Sequence, residues 1–212
     1  MVTLYDYWRS SAAYRVRIAL NLAGIPYRTV AVDLLKGEQR SPENLARNPQ
    51  GLVPTLEIDG LVLTQSMAIL EYLIDSGKAT LLPGAAADRA RCRALAYAVA
   101  MEIAPVCNLS VRRYAAEISD GTVSADDWQF RFVTMGLLAL EAMLGHPATG
   151  PFCHGDSVTL PDLCLVPQVY NARRAGVDLS PMPRLSAVVD ALEALPGVAA
   201  AHPDRVRPPK PG

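Results

Sequence analysis

Two adjacent serines near the N-terminus have a type and a position that could do chemistry. Ser10 and Ser11 follow a β-prone stretch at residues 2–7 and precede a helical pattern at residues 15–23. At the start of a helix the backbone N–H groups lack intrahelical partners, and the helix dipole is positive there. The position therefore favours a bound anion. The alternative is that both serines only cap the helix.

Gln65 and Ser66 stand in a similar relation to a later helix. Apolar residues recur at helical spacing from Met67 to Ile74, and Gly77 ends the run. The two residues therefore stand at the N-terminus of a predicted helix. Ser66 could be the N-cap of this helix.

The elements that position these serines follow from hydrophobic periodicity. Residues 27–34 alternate like a half-buried strand, so the first part of the chain predicts a βαβ unit. The pairs Ser41–Pro42 and Asn48–Pro49 predict the start and the end of a short helix. Residues 53–58 and 61–64 then flank Asp59–Gly60, a pair typical of a two-residue hairpin turn. The order βαβ, connection, ββα is the outline of a thioredoxin-like α/β sheet.

The rest of the chain predicts an all-α bundle. A stretch at 81–88, rich in Pro, Gly and Ala, is typical of a linker, so we expect domains at 1–82 and 88–212. Thr159 and Asp162 form a capping box ahead of one helix, and the proline-rich tail from His202 should be irregular. No strand pattern is found after the linker, and the predicted helical segments lie near 88–119, 124–145, 160–175 and 184–195.

The composition excludes several classes of protein. Hydrophobic residues make up 50% and charged residues 19%, which is too little charge for a disordered chain. Twenty basic and 21 acidic residues leave a formal charge of −1, without the basic clusters that bind nucleic acid. The first residues lack a signal-peptide pattern, and no apolar run is long enough for a bilayer. We therefore expect a cytoplasmic protein with neither nucleic acid nor a membrane as partner.

Cysteine and histidine residues are too scattered to predict a metal site. The cysteines have neither redox-pair nor zinc-ligand spacing, and there are only three histidines. We expect free thiols and chemistry without a metal. The residues concerned are Cys92, Cys107, Cys153 and Cys164, with His146, His154 and His202.

Several motifs carry a family resemblance. Residues 9–20, Arg-Ser-Ser-Ala-Ala-Tyr-Arg-Val-Arg-Ile-Ala-Leu, resemble the Ser-Ser-x-x-x-Arg-Val-Arg-Ile-Ala-Leu signature of zeta-class glutathione transferases. Agreement extends to residues 48–56, to Gln65–Ser66 and to residues 166–174, so both predicted domains take part. The resemblance implies the glutathione transferase fold, a thioredoxin-like N-terminal domain plus an all-α C-terminal bundle. It also implies a homodimer and glutathione as cofactor.

The resemblance also implies where glutathione binds. Ser10 and Ser11 would bind its thiol, whose ordinary pKa of about 8.5 would fall toward neutral pH. A cis peptide bond at Val53–Pro54 would leave the Val53 backbone free to pair with the cysteinyl part. Gln65 and Ser66 would receive the γ-glutamyl carboxylate. Further cofactor contacts are implied for Gln39, Gln50 and Asn108.

The activity implied is glutathione-dependent cis–trans isomerisation of a maleyl keto acid, from maleylacetoacetate to fumarylacetoacetate in aromatic amino acid catabolism. Addition of the thiolate, rotation about the resulting single bond and elimination would give the trans product. Arg9 and Arg174 match family arginines suited to a dianionic substrate and its enolate charge. For Arg174, a solvated helix face is the alternative. Other open readings are maleylpyruvate isomerisation, a general transferase or dehalogenase, and a glutathione-binding protein without turnover.

The chain departs from the family pattern at residues 104–110. Many bacterial relatives have His-Pro-Leu-Asn-Asn-Leu-Arg there, whereas this chain has Ala-Pro-Val-Cys-Asn-Leu-Ser. Asn108 is kept, while Ala104 and Ser110 replace the histidine and arginine. Arg112 or Arg113 could supply the missing cation. The departure from the pattern leaves the identity of the substrate open. Cys107 has no nearby histidine in sequence, and we interpret it as lining rather than a nucleophile.

Overall fold

The computed structural model describes residues 1–208 and forms two compact units. Unit 1 comprises Met1–Thr80 together with the segment from Leu195 onward, and unit 2 comprises Leu81–Ala194. The strands are β1 (Val2–Asp6), β2 (Tyr27–Ala31), β3 (Thr55–Ile58) and β4 (Leu61–Thr64). The α-helices are α1 (Ser11–Leu22), α2 (Pro42–Arg47), α3 (Ser66–Asp75), α4 (Ala86–Tyr97), α5 (Ala104–Val106), α6 (Leu109–Ile118), α7 (Ala125–Met143), α8 (Leu160–Arg174), α9 (Pro183–Glu193), α10 (Pro196–Ala200) and α11 (Pro203–Val206).

Unit 1 contains a four-stranded mixed sheet in the order β2-β1-β3-β4. β1 pairs in parallel with β2 and antiparallel with β3, and β4 is antiparallel to β3. Asp59 and Gly60 both have positive φ, 53° and 78°, as the predicted hairpin turn requires. The predicted thioredoxin-like sheet is therefore confirmed.

The core of unit 1 lies between the sheet and helices α1 and α3. Leu4 and Leu56 are opposite each other in the β1–β3 register, and both are fully buried. Leu20 of α1 and Leu70 of α3 are also fully buried, and the two helices pack against each other. This packing holds the N-termini of α1 and α3 in one unit.

Unit 2 is helical, as predicted, but the expected segment 88–119 is not one helix. After α4 the backbone continues as a π-helical stretch, Ala98–Ile103, and then as the short α5. Pro105 has no N–H for a helical hydrogen bond, and the chain leaves the helix at Cys107 before α6 begins. A Cβ at Gly136 of α7 would lie 2.3 Å from Cγ1 of Ile103, so glycine permits this close packing.

The predicted capping box at the start of α8 is confirmed. The Asp162 carboxylate accepts hydrogen bonds from the Thr159 N–H at 2.7 Å and the Thr159 hydroxyl at 2.8 Å. It also accepts one from the Cys153 N–H at 2.8 Å. Burial raises the pKa of this carboxyl group, and these hydrogen bonds oppose the rise.

The tail from His202 is not wholly irregular, contrary to expectation. α11 forms at Pro203–Val206, because proline suits the first turn of a helix and a His202 ring nitrogen accepts from the Asp204 N–H at 3.3 Å. Pro209 and Pro211, also in this predicted tail, lie outside the described residues.

Within residues 1–208 no single helix is long and apolar enough to cross a membrane. The bent pair Ala86–Val106 and Leu109–Ile118 reaches the required length and composition only when its two parts are taken together.

Candidate active site

The turn before α1 brings Ser10 and Ser11 to the start of that helix. Ser10 is the N-cap, and its Oγ accepts a hydrogen bond from the Ala13 N–H at 3.2 Å. Ser11 is the first residue of the helix, at the positive end of the helix dipole. Ser10 thus caps the helix as the alternative interpretation proposed. A hydroxyl group that accepts one bond still has an O–H to donate, so capping does not exclude an anion.

Arg9 is held in the same turn. Its Nη2 donates to the Tyr7 hydroxyl at 3.1 Å, and its guanidinium carbon lies 4.9 Å from the centroid of the Trp8 ring. The Arg9 Nε is buried without a hydrogen-bond partner among the residues described. The turn therefore places a cation next to the serines at the N-terminus of α1.

The loop before β3 has the predicted geometry. The Val53–Pro54 peptide bond is cis. Pairing of β3 with β1 and β4 begins at Thr55, so Val53 lies outside the ladder. Asn48 orders this loop, because its side chain donates to the Leu52 carbonyl at 3.0 Å and accepts from the Gln50 N–H at 3.1 Å.

Gln65 and Ser66 begin α3, and Ser66 is not the N-cap that the alternative interpretation named. Gln65, not Ser66, is the N-cap residue, and it has a positive φ of 66° and no capping hydrogen bond from its side chain. Its Nε2 donates to Gln50 Oε1 at 2.7 Å. Non-glycine residues with positive φ are concentrated at functional sites. Ser66 is the first helical residue, 5% exposed, and its Oγ accepts from Nη1 of Arg15 at 3.1 Å.

Arg15 is the residue of this site that sequence reasoning missed. The sequence analysis treated it only as the beginning of a helical pattern. A signal was available in the Arg-Val-Arg run at 15–17, because two arginines on a helix with a strong apolar pattern are unusual.

Gln39 lies beside the same loop. Its carbonyl accepts from Nδ2 of Asn44 at 2.9 Å, and a Cβ at Gly51 would lie 3.3 Å from that carbonyl oxygen. The Oε1 atom of Gln39 is buried and has no hydrogen-bond partner within residues 1–208. Within unit 1, Gln39 thus lies beside Gly51 of this loop, while Gln50 and Gln65 are hydrogen-bonded to each other.

Arg174 and Asn108 belong to unit 2. Arg174 is the exposed last residue of α8, with its guanidinium carbon 5.7 Å from the centroid of the Tyr170 ring. Asn108 is the exposed N-cap of α6, and its side chain makes no capping hydrogen bond.

Arg112 and Arg113 of unit 2, which could supply the cation missing at residues 104–110, differ in their hydrogen bonding. Arg112 donates to Asp126 Oδ1 at 3.2 Å and also to Gln129 Oε1, whereas Arg113 is exposed.

Cys107 is half-buried, and burial raises its pKa to about 11, with Arg112 opposing the rise. A thiol with such a pKa is a poor nucleophile near neutral pH, which supports the interpretation of Cys107 as lining.

All four cysteines are free, and residues 1–208 contain no cluster of three or more His, Cys, Asp or Glu side chains that could hold a metal ion.

Comparisons with known proteins identify the family of the chain. Residues 1–75 match the family model described as glutathione S-transferase, N-terminal domain. The maleylacetoacetate isomerase of Rhizobium meliloti is 59% identical over 207 residues, which cover 97% of each chain.

Two solved structures are similar over nearly the whole chain. One is the holo structure of a maleylpyruvate isomerase, a bacterial zeta-class enzyme, with 40% identity, a TM-score of 0.92 and coverage of 97% and 98%. The other is a maleylacetoacetate isomerase of Anaeromyxobacter dehalogenans with bound glutathione, with 46% identity, a TM-score of 0.87 and coverage of 98% and 97%. The fold class expected from the sequence is confirmed, and the chain belongs to the zeta-class glutathione transferase family.

Proposed function

We propose that the chain is an enzyme that converts maleylacetoacetate to fumarylacetoacetate with glutathione as cofactor, in aromatic amino acid catabolism. The observation that carries the proposal is 59% identity to the maleylacetoacetate isomerase of Rhizobium meliloti over 97% of both chains. The geometry at the start of α1 supports it, because Ser10 caps the helix, Ser11 begins it at the positive end of its dipole, and Arg9 precedes both in the same turn.

The residues of unit 1 fit glutathione. The buried guanidinium of Arg15 beside Ser66 suits a carboxylate, and the Gln39 Oε1, buried without a partner within residues 1–208, suits a peptide N–H. Ser10 and Ser11 would hold the thiolate, and the Val53 backbone would pair with the cysteinyl group. Gln65 and Ser66 would bind the γ-glutamyl end. The remaining proposed contacts are those of Gln50 in unit 1 and Asn108 in unit 2.

In the proposed reaction, the two serines would act on the thiol of glutathione and the two arginines on the keto acid. When bound, glutathione supplies a thiolate that adds to the cis double bond, permits rotation about the new single bond and leaves as the trans product forms. Hydrogen bonds from Ser10 and Ser11 favour the ionised thiol, as does the positive end of α1. Arg9 and Arg174 would bind the substrate carboxylates and stabilise the enolate charge that develops on addition.

A second candidate substrate is maleylpyruvate. The similarity to the solved maleylpyruvate isomerase, with a TM-score of 0.92, favours it. Ala104 and Ser110 replace the histidine and arginine of the bacterial pattern, so we expect the segment that contains them to influence the choice of keto acid.

We also infer that the chain is a cytoplasmic homodimer with glutathione binding in residues 1–82 and substrate binding in the helical part, 88–212. Four free cysteines suit a reducing compartment.

Large apolar side chains of α7 are exposed, with exposed fractions of 45% for Phe130, 54% for Met135 and 43% for Leu138. Such a surface is typical of a protein interface, and light scattering of the purified protein would give the mass of the assembly.

The experiment that tests the proposed activity is absorbance-monitored turnover of both keto acids, with and without glutathione. Ser11→Ala should reduce glutathione-dependent turnover about 10²-fold, as for the loss of one group that stabilises reaction charge. Ser180→Ala, an exposed serine between α8 and α9, is the matched control and should retain activity. Turnover of neither keto acid by a protein that still binds glutathione would contradict the proposal and favour a transferase or a binding role.

A further inference from the structure

Helix α1 contains two buried arginines, Arg15 and Arg17, with very different surroundings. The Arg17 guanidinium is fully buried and donates to both carboxylate oxygens of Asp6, at 2.7 and 2.8 Å. It also donates to the carbonyls of Trp8 at 3.0 Å and Ala201 at 3.1 Å. Every nitrogen of Arg17 has an acceptor, so Arg17 has the contacts of a structural residue.

Arg15 has fewer partners within residues 1–208. It is 3% exposed, and the one hydrogen bond that its guanidinium forms with those residues runs from Nη1 to Ser66 Oγ at 3.1 Å. The Nε and Nη2 atoms are buried without an acceptor in the part of the chain that the structure describes, and the guanidinium forms no ion pair there. Burying a cation without a nearby anion costs free energy, and buried N–H donors normally have acceptors. The surroundings of the Arg15 guanidinium therefore need an explanation.

The position of Arg15 provides one. Ser66 is the first residue of α3, where the backbone N–H groups are not bonded within the helix and the dipole is positive. Orphan guanidinium donors, a hydroxyl group and a helix N-terminus therefore meet at one place. Together they make a site for an anion, and a carboxylate would satisfy all three.

The hydrogen bond to Ser66 also has a fixed direction. A guanidinium group has five N–H donors and no acceptor, so in the contact with Arg15 the Ser66 oxygen must accept. The hydroxyl hydrogen of Ser66 consequently points away from Arg15 and is left to donate elsewhere. Arg15 thereby sets Ser66 as a donor, the polarity that a carboxylate requires.

We propose that Arg15 is a positioning residue of the glutathione site, which orients Ser66 toward the γ-glutamyl carboxylate and places a buried positive charge behind it. This proposal rests on the proposed use of glutathione. Arg15 follows Ser10 by five residues on α1, about 7.5 Å along the helix axis. One helix would thus serve both the thiol end and the γ-glutamyl end of the cofactor.

Calorimetric titration of Arg15→Gln, Arg15→Lys and Ser66→Ala with glutathione and with cysteinylglycine tests the proposal. Cysteinylglycine has the thiol and the glycyl carboxylate but lacks the γ-glutamyl group. Arg15→Gln should weaken glutathione about tenfold to 100-fold, as for a lost charge-assisted hydrogen bond, and should leave cysteinylglycine within about twofold. Arg15→Lys should recover part of the affinity, since it restores the charge but not the fork of donors.

Two further measurements separate positioning from folding. At saturating glutathione, Arg15→Gln should retain kcat within about threefold while its KM for glutathione rises, because the thiol end is unchanged. Without ligand its unfolding temperature should be no lower than that of the wild type, because an unpaired buried charge is removed. Arg17→Gln, the control on the same helix, should unfold at a markedly lower temperature.

The double variant Arg15→Gln/Ser66→Ala should bind glutathione no more than about twofold more weakly than the worse single variant, since both act on one group. Equal weakening of glutathione and cysteinylglycine, or a loss of unfolding temperature like that of Arg17→Gln, would overturn the proposal. Failure of the proposed isomerase activity is distinguishable. In that case the wild type would not isomerise either keto acid, whereas its glutathione affinity would still depend on Arg15.

Discussion

The turn that carries Arg9 and Ser10 and the segment at residues 104–113 hold their polar groups in different ways. In the turn, the Ser10 hydroxyl, the Arg9 guanidinium and the first N–H groups of α1 are fixed by contacts within unit 1. In the segment, Asn108 is exposed and Arg112 is bonded to side chains of α7. We therefore propose that the turn carries the glutathione chemistry, whereas the segment, which departs from the bacterial pattern, influences the choice of keto acid.

The largest effect is expected from the turn. Arg9→Ala should reduce kcat/KM for maleylacetoacetate about 10²-fold, because a cation that stabilises developing enolate charge is lost. Steady-state kinetics at saturating glutathione measure it. Arg207→Ala is the control, since the Arg207 guanidinium carbon also lies 4.9 Å from the Trp8 ring. Equal losses in the two variants would mean that Arg9 only packs on Trp8.

Arg174→Ala should have a smaller effect, about tenfold in kcat/KM, through a raised KM for the keto acid. The same kinetics apply, with Arg173→Ala as the control. Arg173 lies in the same last turn of α8, but its Nη1 donates to Glu193 at 2.6 Å. If Arg173→Ala were the more damaging change, the assignment of Arg174 to the substrate would be wrong.

Arg112→Ala should affect stability rather than activity. Its ion-pair partner Asp126 is 97% exposed, and pairs of this kind contribute about 1 kcal/mol or less to the free energy of unfolding. Urea unfolding and turnover on the same preparation separate the two effects. A loss of turnover without a loss of stability would instead identify Arg112 as the missing cation.

Cys107→Ala should change turnover by less than about twofold, because the thiol is a small, half-buried side chain and not a nucleophile. Since burial raises its pKa to about 11, about one part in 10⁴ is thiolate at pH 7. Its alkylation by iodoacetamide should therefore rise about tenfold per pH unit up to that pKa, which mass spectrometry of the modified peptide can follow. Rapid alkylation at pH 7 would contradict this account.

Local signals predicted much of the fold. The Asp59–Gly60 turn and the Thr159–Asp162 capping box follow from rules that involve only neighbouring residues. The break near Cys107 was not predicted, because residues 88–119 are rich in helix-forming residue types on both sides of it. Pro105 was the available local signal for that break.

The candidate site was predictable where a motif covers it and not where tertiary packing creates it. Ser10, Val53 and Ser66 could be named from motifs alone. The role of Arg15 depends on packing between α1 and α3, which brings together residues 51 positions apart. The N-cap of α3 is Gln65 and not Ser66, the alternative that the sequence analysis named, and the residue pattern gave no sign of this.

The most direct test of the proposed isomerisation is the fate of glutathione during turnover. Maleylacetoacetate in large excess over glutathione should be converted completely to fumarylacetoacetate, while the concentration of free thiol, measured with a chromogenic disulfide, stays constant. Conversion that stops when glutathione is exhausted, with free thiol lost in proportion to substrate, would identify a conjugating transferase and contradict the account.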